Sequence, residues 1–144
     1  MNTDRFKFRA WLSSEKRMIK KLVVEIDSNP SDKPIFRRYL CQCCGSDSLH
    51  DIDDCDIIMQ STGLRDKNGV LIFEGDIVIV IGETNNQGRF RNHFEKKAFA
   101  EWSDTNASFN IFYGLNESGE LEINTIEVIG KIYEHPELLE KCND

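Results

Sequence analysis

Long apolar runs are missing from this chain of 144 residues; the longest is Ile77-Val78-Ile79-Val80-Ile81. A membrane helix needs about 20 such residues, so no segment is expected to span a bilayer as a helix. The first residues, Met1 to Arg9, mix charge with aromatics and lack the apolar centre of a secretory signal, which predicts a chain that stays in the cytoplasm. Proline is scarce, with three residues at 30, 34 and 136, each at the edge of a patterned segment. There is no repeat, low-complexity tract or proline-rich linker, and one domain over 1–144 is the simplest organisation. Nor does any stretch read G-x-x-x-x-G-K or G-x-G-x-x-G, which removes the common phosphate-binding loops.

Catalytic constellations are equally absent. The three histidines lie beside carboxylates, His50 next to Asp51, His93 two residues from Glu95 and His135 next to Glu134, but none accompanies a nucleophile in a known arrangement. Adjacent residues on a strand point to opposite faces, so Glu134 and His135 would not share a pocket in an extended segment. A non-enzyme without a cofactor is the expectation.

Basic residues are outnumbered, 18 against 25 acidic, and the net charge of −7 opposes a phosphate backbone. The basic residues that exist crowd one end: Arg5, Lys7, Arg9, Lys16, Arg17, Lys20 and Lys21, then Arg37 and Arg38. They could form a patch for nucleic acid or an acidic protein, although solvent-facing sides of strands explain them more simply.

Five cysteines, Cys41, Cys43, Cys44, Cys55 and Cys142, are an odd number with the first four bunched within fifteen residues, which makes a disulfide framework unfavourable, and reduced thiols are expected. Cys41-x-x-Cys44 followed by His50 and Cys55 has the ligand types of a tetrahedral zinc site. Its central gap is one residue longer than in a zinc knuckle. Asp47, Asp51, Asp53 and Asp54 also stand where a nucleic-acid-binding knuckle carries basic and aromatic residues. Small core-facing thiols are therefore favoured over a metal. Asp51 and Asp53 begin like a calcium loop, but Cys55, Asp56 and Thr62 occupy the positions where an EF-hand needs a ligand, a glycine and a glutamate.

Composition otherwise fits a globular domain, 40% apolar and 30% charged. Residues 5–11 alternate, with Phe6, Phe8 and Ala10 on one face and Lys7, Arg9 and Trp11 on the other, predicting a half-buried strand. Segment 17–27, rich in β-branched residues, predicts a second strand and 35–41 a short third, followed by an acidic loop from Gly45 to Asp56. Ile57 to Gln60 is a further strand, and Asn68-Gly69 marks a tight turn because both residues accept positive φ. Asp76 to Ile81, closed by Gly82 and the turn formers 85–88, is the expected central strand, buried on both faces. Phe99 to Trp102, Phe109 to Tyr113 and Ile126 to Tyr133 complete the strands of a small barrel or sandwich. Pro136 opens a closing helical turn. Trp102, Phe109, Phe112 and Tyr113 could present an aromatic face to bases or a peptide, but their spacing favours the core.

Several fragments carry a resemblance: Arg9-Ala10-Trp11 with Met18, Met59 through Gly69, Ile72-Phe73-Glu74-Gly75-Asp76-Ile77-Val78, and Val128 through Leu139. Together they resemble the YopX family of bacteriophage and prophage proteins. Ser61 and Phe73 stand where the family usually has tyrosine, and Lys131 where it usually has asparagine; residues 27–55 and 83–97 match nothing recognisable. The resemblance implies a phage origin and a mainly β architecture with short helices: a β-rich segment over about 1–55 and a small SH3-like barrel over about 56–144. It brings no activity with it. Turn geometry at Gly63, Asn68, Gly69 and Gly75 explains the distinctive Thr62–Val78 stretch better than a site does, the alternative being a binding loop with Arg65, Asp66 and Lys67 at its tip. The function this predicts is an accessory protein in the bacterial host cytoplasm that binds a host or phage protein, alone or self-associated, using exposed loops at 28–34, 45–56 and 83–96. Nucleic-acid binding through the basic N-terminal region is the alternative.

Overall fold

Most of the β-branched and alternating segments among the described residues become strands, and the fold is mainly β. The computed structural model describes residues 3–20, 22–25, 35–41, 48–53, 55–85, 91–105, 107–112 and 120–140. Among them are eleven strands, β1 (Phe8–Leu12), β2 (Arg17–Ile19), β3 (Leu22–Glu25), β4 (Ile35–Cys41), β5 (Ser48–Asp51), β6 (Ile57–Arg65), β7 (Leu71–Phe73), β8 (Asp76–Asn85), β9 (Arg91–Ser103), β10 (Ser108–Phe112) and β11 (Glu120–Lys131). One short helix follows, α1 (Glu137–Glu140), preceded by Pro136 as expected. No helix among the described residues is long and apolar enough to cross a membrane.

The chain divides into two compact units, residues 7–60 and residues 1–6 with 61–144, and β6 runs from one into the other. In the first unit β1 lies between β2 and the start of β6, pairing Ala10 with Ile19 and with Ile58. Here the expected strand over 5–11 is corrected at both ends. Asp4–Phe6 forms a 3-10 turn, and Phe6 is exposed. Nor is β1 half-buried: Arg9 is as hidden as Ala10, and its guanidinium meets the Met59 sulfur at 3.8 Å. Adjacent residues of a strand face opposite sides of the sheet, so the burial of both Arg9 and Ala10 means that β1 is covered on both faces here, and the long Arg9 stem packs instead of reaching water.

Leu12 and Ile19 form a small core with Leu22 and Ile52. The expected strand over 17–27 is two, β2 and β3, and β3, β4 and β5 form a separate sheet. Residues 48–51, expected within a loop, are β5, with Tyr39 opposite His50 and Cys41 opposite Ser48. The acidic residues there gave no apolar alternation to read.

In the second unit the order β10-β9-β8-β11 makes an antiparallel sheet that curls into a half-barrel. The curl follows from β9, which pairs with β8 through residues 91–99 and with β10 through 99–103. As expected, β8 is interior: Ile77, Val78 and Val80 are fully buried, and Ile72 of β7 packs on Val78, Val80, Ala98 and Ala100. Gly82 does not end β8, which continues to Asn85 and pairs with Arg91. Residues 83–85 and 91–96, expected in an exposed loop, are therefore strand; 86–90 and 28–34 lie outside the described residues.

Candidate functional site

The segment from Ser61 to Asp76 is a hairpin whose irregularities are each met by a side chain. Between the rungs Ser61↔Phe73 and Arg65↔Leu71, β6 bulges at Gly63, where φ is +80°. Two hydroxyls serve the bulge: Ser61 Oγ accepts from Gly63 N at 3.1 Å, and Thr62 Oγ1 accepts from Leu64 N at 3.1 Å while donating to Ile72 O at 2.9 Å. At the tip, Gly69 N donates to Asp66 O and Asp66 N to Val70 O, a type I turn closed by a left-handed glycine. Only Gly69 takes positive φ; Asn68, expected to share it, does not.

Asp66 is the centre of this hairpin. It is 7% exposed, and its Oδ1 accepts from Asn68 N at 2.8 Å and Val70 N at 2.9 Å, while Oδ2 accepts from Val128 N of β11 at 3.0 Å. Burial pushes its carboxyl pKa up, but the three backbone donors and the Lys67 charge outweigh this and hold it below the ordinary 3.8. Lys67 N donates to Ile126 O beside it, so the turn is stitched to β11 twice.

The neighbouring charges are also committed. Arg65 pairs with Asp4 at 2.7 Å and donates to Gly69 O at 2.8 Å, and Lys67 pairs with Glu127 at 2.5 Å. Arg65, Asp66 and Lys67, considered as the tip of a binding loop, thus each make contacts that fasten the turn. Exposed apolar side chains stand among these charges: Leu64 is 59% exposed and Val70 49%, and Phe6 is 58% exposed on the 3-10 turn that Asp4 fastens to Arg65. The two segments touch, since a Cβ on Gly63 would lie 3.2 Å from the Arg5 Cβ. Nothing in the sequence pattern marked these three residues, because an exposed apolar residue reads like a core residue until its neighbours are known.

Past the hairpin, Gly75 N donates to Ala100 O and Gly75 O accepts from Ile132 N, while the buried Asp76 accepts from Phe73 N at 2.8 Å. The segment after β11 folds back: His135 Nδ1 accepts from Lys131 N at 3.3 Å, so the ring carries its proton on Nε2 when neutral. A turn replaces the extended geometry considered for Glu134 and His135. His93 meets Glu83 of the adjoining strand at 3.2 Å, not Glu95. Burial first, and then the Glu74 carboxylate, hold the Tyr133 phenol above 10.0.

Of the four zinc-ligand candidates, Cys41 ends β4 and His50 lies in β5, while Cys55 is an exposed free thiol and so not the core-facing residue expected. Cys44 lies outside the described residues. Asp56 acts as a local clamp, accepting from Ser13 N at 2.9 Å and Asp53 N at 3.0 Å. Of the N-terminal basic group, Arg9 is buried and Arg17 is held by Glu15 at 2.6 Å. Trp102 departs from the expected core position: it is 41% exposed, edge-packed on Phe109.

These features define a mainly β chain with a curled sheet, closed on one side by an Asp-centred hairpin. The sequence matches the YopX protein family over residues 7–140, nearly its whole length, and the chain belongs to that family. It is also similar to the crystal structure of protein EF1440 from Enterococcus faecalis, with 30% identity over 92% of this chain and 96% of that one and a TM-score of 0.53. Among curated proteins none matches.

Proposed function

We propose that this protein is a non-catalytic, phage- or prophage-encoded accessory protein that works in the bacterial cytoplasm by binding a protein partner. The observation that carries the reading is the exposure of Phe6, Leu64 and Val70 on segments that the Arg65–Asp4 pair and the bonds of Asp66 and Lys67 to β11 hold in place. Large apolar side chains held out from fastened backbone are costly to leave in water and favour burial by a partner, which pre-organisation makes less costly in entropy.

The test is affinity capture from phage-carrying and phage-free bacterial lysates, with and without nuclease, comparing the wild type with a Phe6→Ser, Leu64→Ser, Val70→Ser triple variant whose folding is checked by circular dichroism. A protein held in stoichiometric amount by the wild type and lost by the variant is the expected result. Equal capture by both would remove the hairpin surface from consideration, and material lost on nuclease treatment would bring the nucleic-acid alternative forward.

A further inference from the structure

The hairpin of β9 and β10 holds an unusual tryptophan. Trp102 stands directly across from Phe109, with ring centroids 4.9 Å apart and an interplanar angle of 71°. Its Nε1 donates to Asp104 Oδ1 at 2.9 Å. Just before β10, Ala107 takes a φ of 49°, a conformation that non-glycine residues adopt reluctantly. An indole fixed by ring packing and by a hydrogen bond has already lost its rotamer freedom, yet 41% of the residue is open to solvent.

The chemistry around that open surface selects the ligand. An exposed carboxylate, Asp104, sits at the indole edge, and the whole chain carries −7. A nucleobase stacking on Trp102 would bring its phosphates towards this negative charge, which disfavours nucleic acid. A guanidinium suits both groups at once, because it is planar enough to lie on an indole and presents N–H donors to a carboxylate. We infer that the β9–β10 hairpin docks an arginine side chain of a partner protein, stacked on Trp102 and hydrogen-bonded to Asp104. This site stands independently of the Phe6, Leu64 and Val70 surface.

The experiment uses the full chain labelled with ¹⁵N and follows the Trp102 indole N–H signal, assigned by its loss in Trp102→Phe, while a blocked tri-arginine peptide is titrated in. A saturable shift is expected, weaker with tri-lysine, absent with tri-alanine, and reduced several-fold when salt is raised. Asp104→Asn keeps an oxygen for the indole N–H but loses the charge. It should leave the free signal in place and weaken tri-arginine binding about three- to tenfold. Leu64→Ser should bind the peptide as the wild type does, separating this site from the other surface. No saturable shift of Trp102, equal affinity in Asp104→Asn, or a stronger response to a short single-stranded oligonucleotide would overturn the inference.

Discussion

Replacing Asp66 tests the hairpin directly. Its carboxylate accepts three backbone N–H bonds at 2.8, 2.9 and 3.0 Å, from Asn68, Val70 and Val128. A hydrogen bond to a charged group contributes about 1.5–3 kcal/mol, so three independent bonds would be worth at least about 4.5 kcal/mol. They share one carboxylate, and the exposed Asn68 and Val70 can recover water for their amides when it is removed. The loss for Asp66→Ala is therefore about 2–4 kcal/mol. Asp66→Asn keeps an acceptor for Asn68 and Val70 but turns an amide N–H towards the Val128 N–H, for about 1–2 kcal/mol. Urea unfolding can be read by fluorescence, since Trp11 lies in one unit and Trp102 in the other. With a slope of about 2 kcal/mol per molar, the Trp102 midpoint should fall by about 1–2 M in Asp66→Ala.

The pH dependence identifies the origin of this loss. The folded carboxyl titrates below its ordinary 3.8, so its contribution is complete above that value and is lost as the pH falls through the folded pKa. The gap between wild type and Asp66→Asn should hold from pH 7 to about pH 5 and narrow below about pH 4. A loss under about 0.5 kcal/mol in Asp66→Ala, or a gap unchanged down to pH 3, would refute the role given to the carboxylate.

Other consequences can be checked by melting or titration. Gly63 and Gly69 share a φ of +80°, but only a Cβ at 63 meets a neighbour, Arg5 Cβ at 3.2 Å, so Gly63→Ala should cost about 1 kcal/mol more than Gly69→Ala, which carries only backbone strain. Gly130→Ala would place a methyl 2.7 Å from Leu138 Cδ1, for a loss of about 1–2 kcal/mol, and Leu138→Ala should cost less in that background than in the wild type. The Arg65 to Asp4 pair is at the surface, and Arg65→Ala should cost no more than about 1 kcal/mol in low salt and less in high salt. The purified protein should contain no stoichiometric zinc, and Cys41, Cys44 and Cys55 should react with a thiol-specific reagent; a metal-protected set including His50 would reverse that expectation.

Much of the fold could be read from residue patterns because β-branched runs and turn formers act locally. The buried β8, the strand Ile35–Cys41 and Pro136 before α1 all follow from such signals. The misses have a common physical cause, in that burial depends on partners distant in sequence. Arg9 is hidden because β1 is covered on both faces, β5 exists because β4 offers it an edge, and β8 passes Gly82 because β9 and β11 flank it. For the site, the geometric importance of Gly63 and Gly69 was legible in the turn chemistry, whereas the exposure of Leu64, Val70 and Trp102 was not. An apolar residue has the same spacing in a strand whether its outward neighbour is protein or water.

The pairing of β8 with β11 has a consequence for how the chain is made. Ile77 to Asn85 must wait for Glu120 to Gly130 before its second edge is filled, and the bonds from Lys67 and Asp66 to Ile126 and Val128 close over a comparable stretch of sequence. A nascent chain that has emerged only as far as β10 therefore carries β8 and β9 as a hairpin with its most apolar strand unpaired on one side. Contacts so distant in sequence slow folding and leave that edge open to pairing with other chains. The last strand thus ends the period during synthesis when this protein is most prone to aggregate.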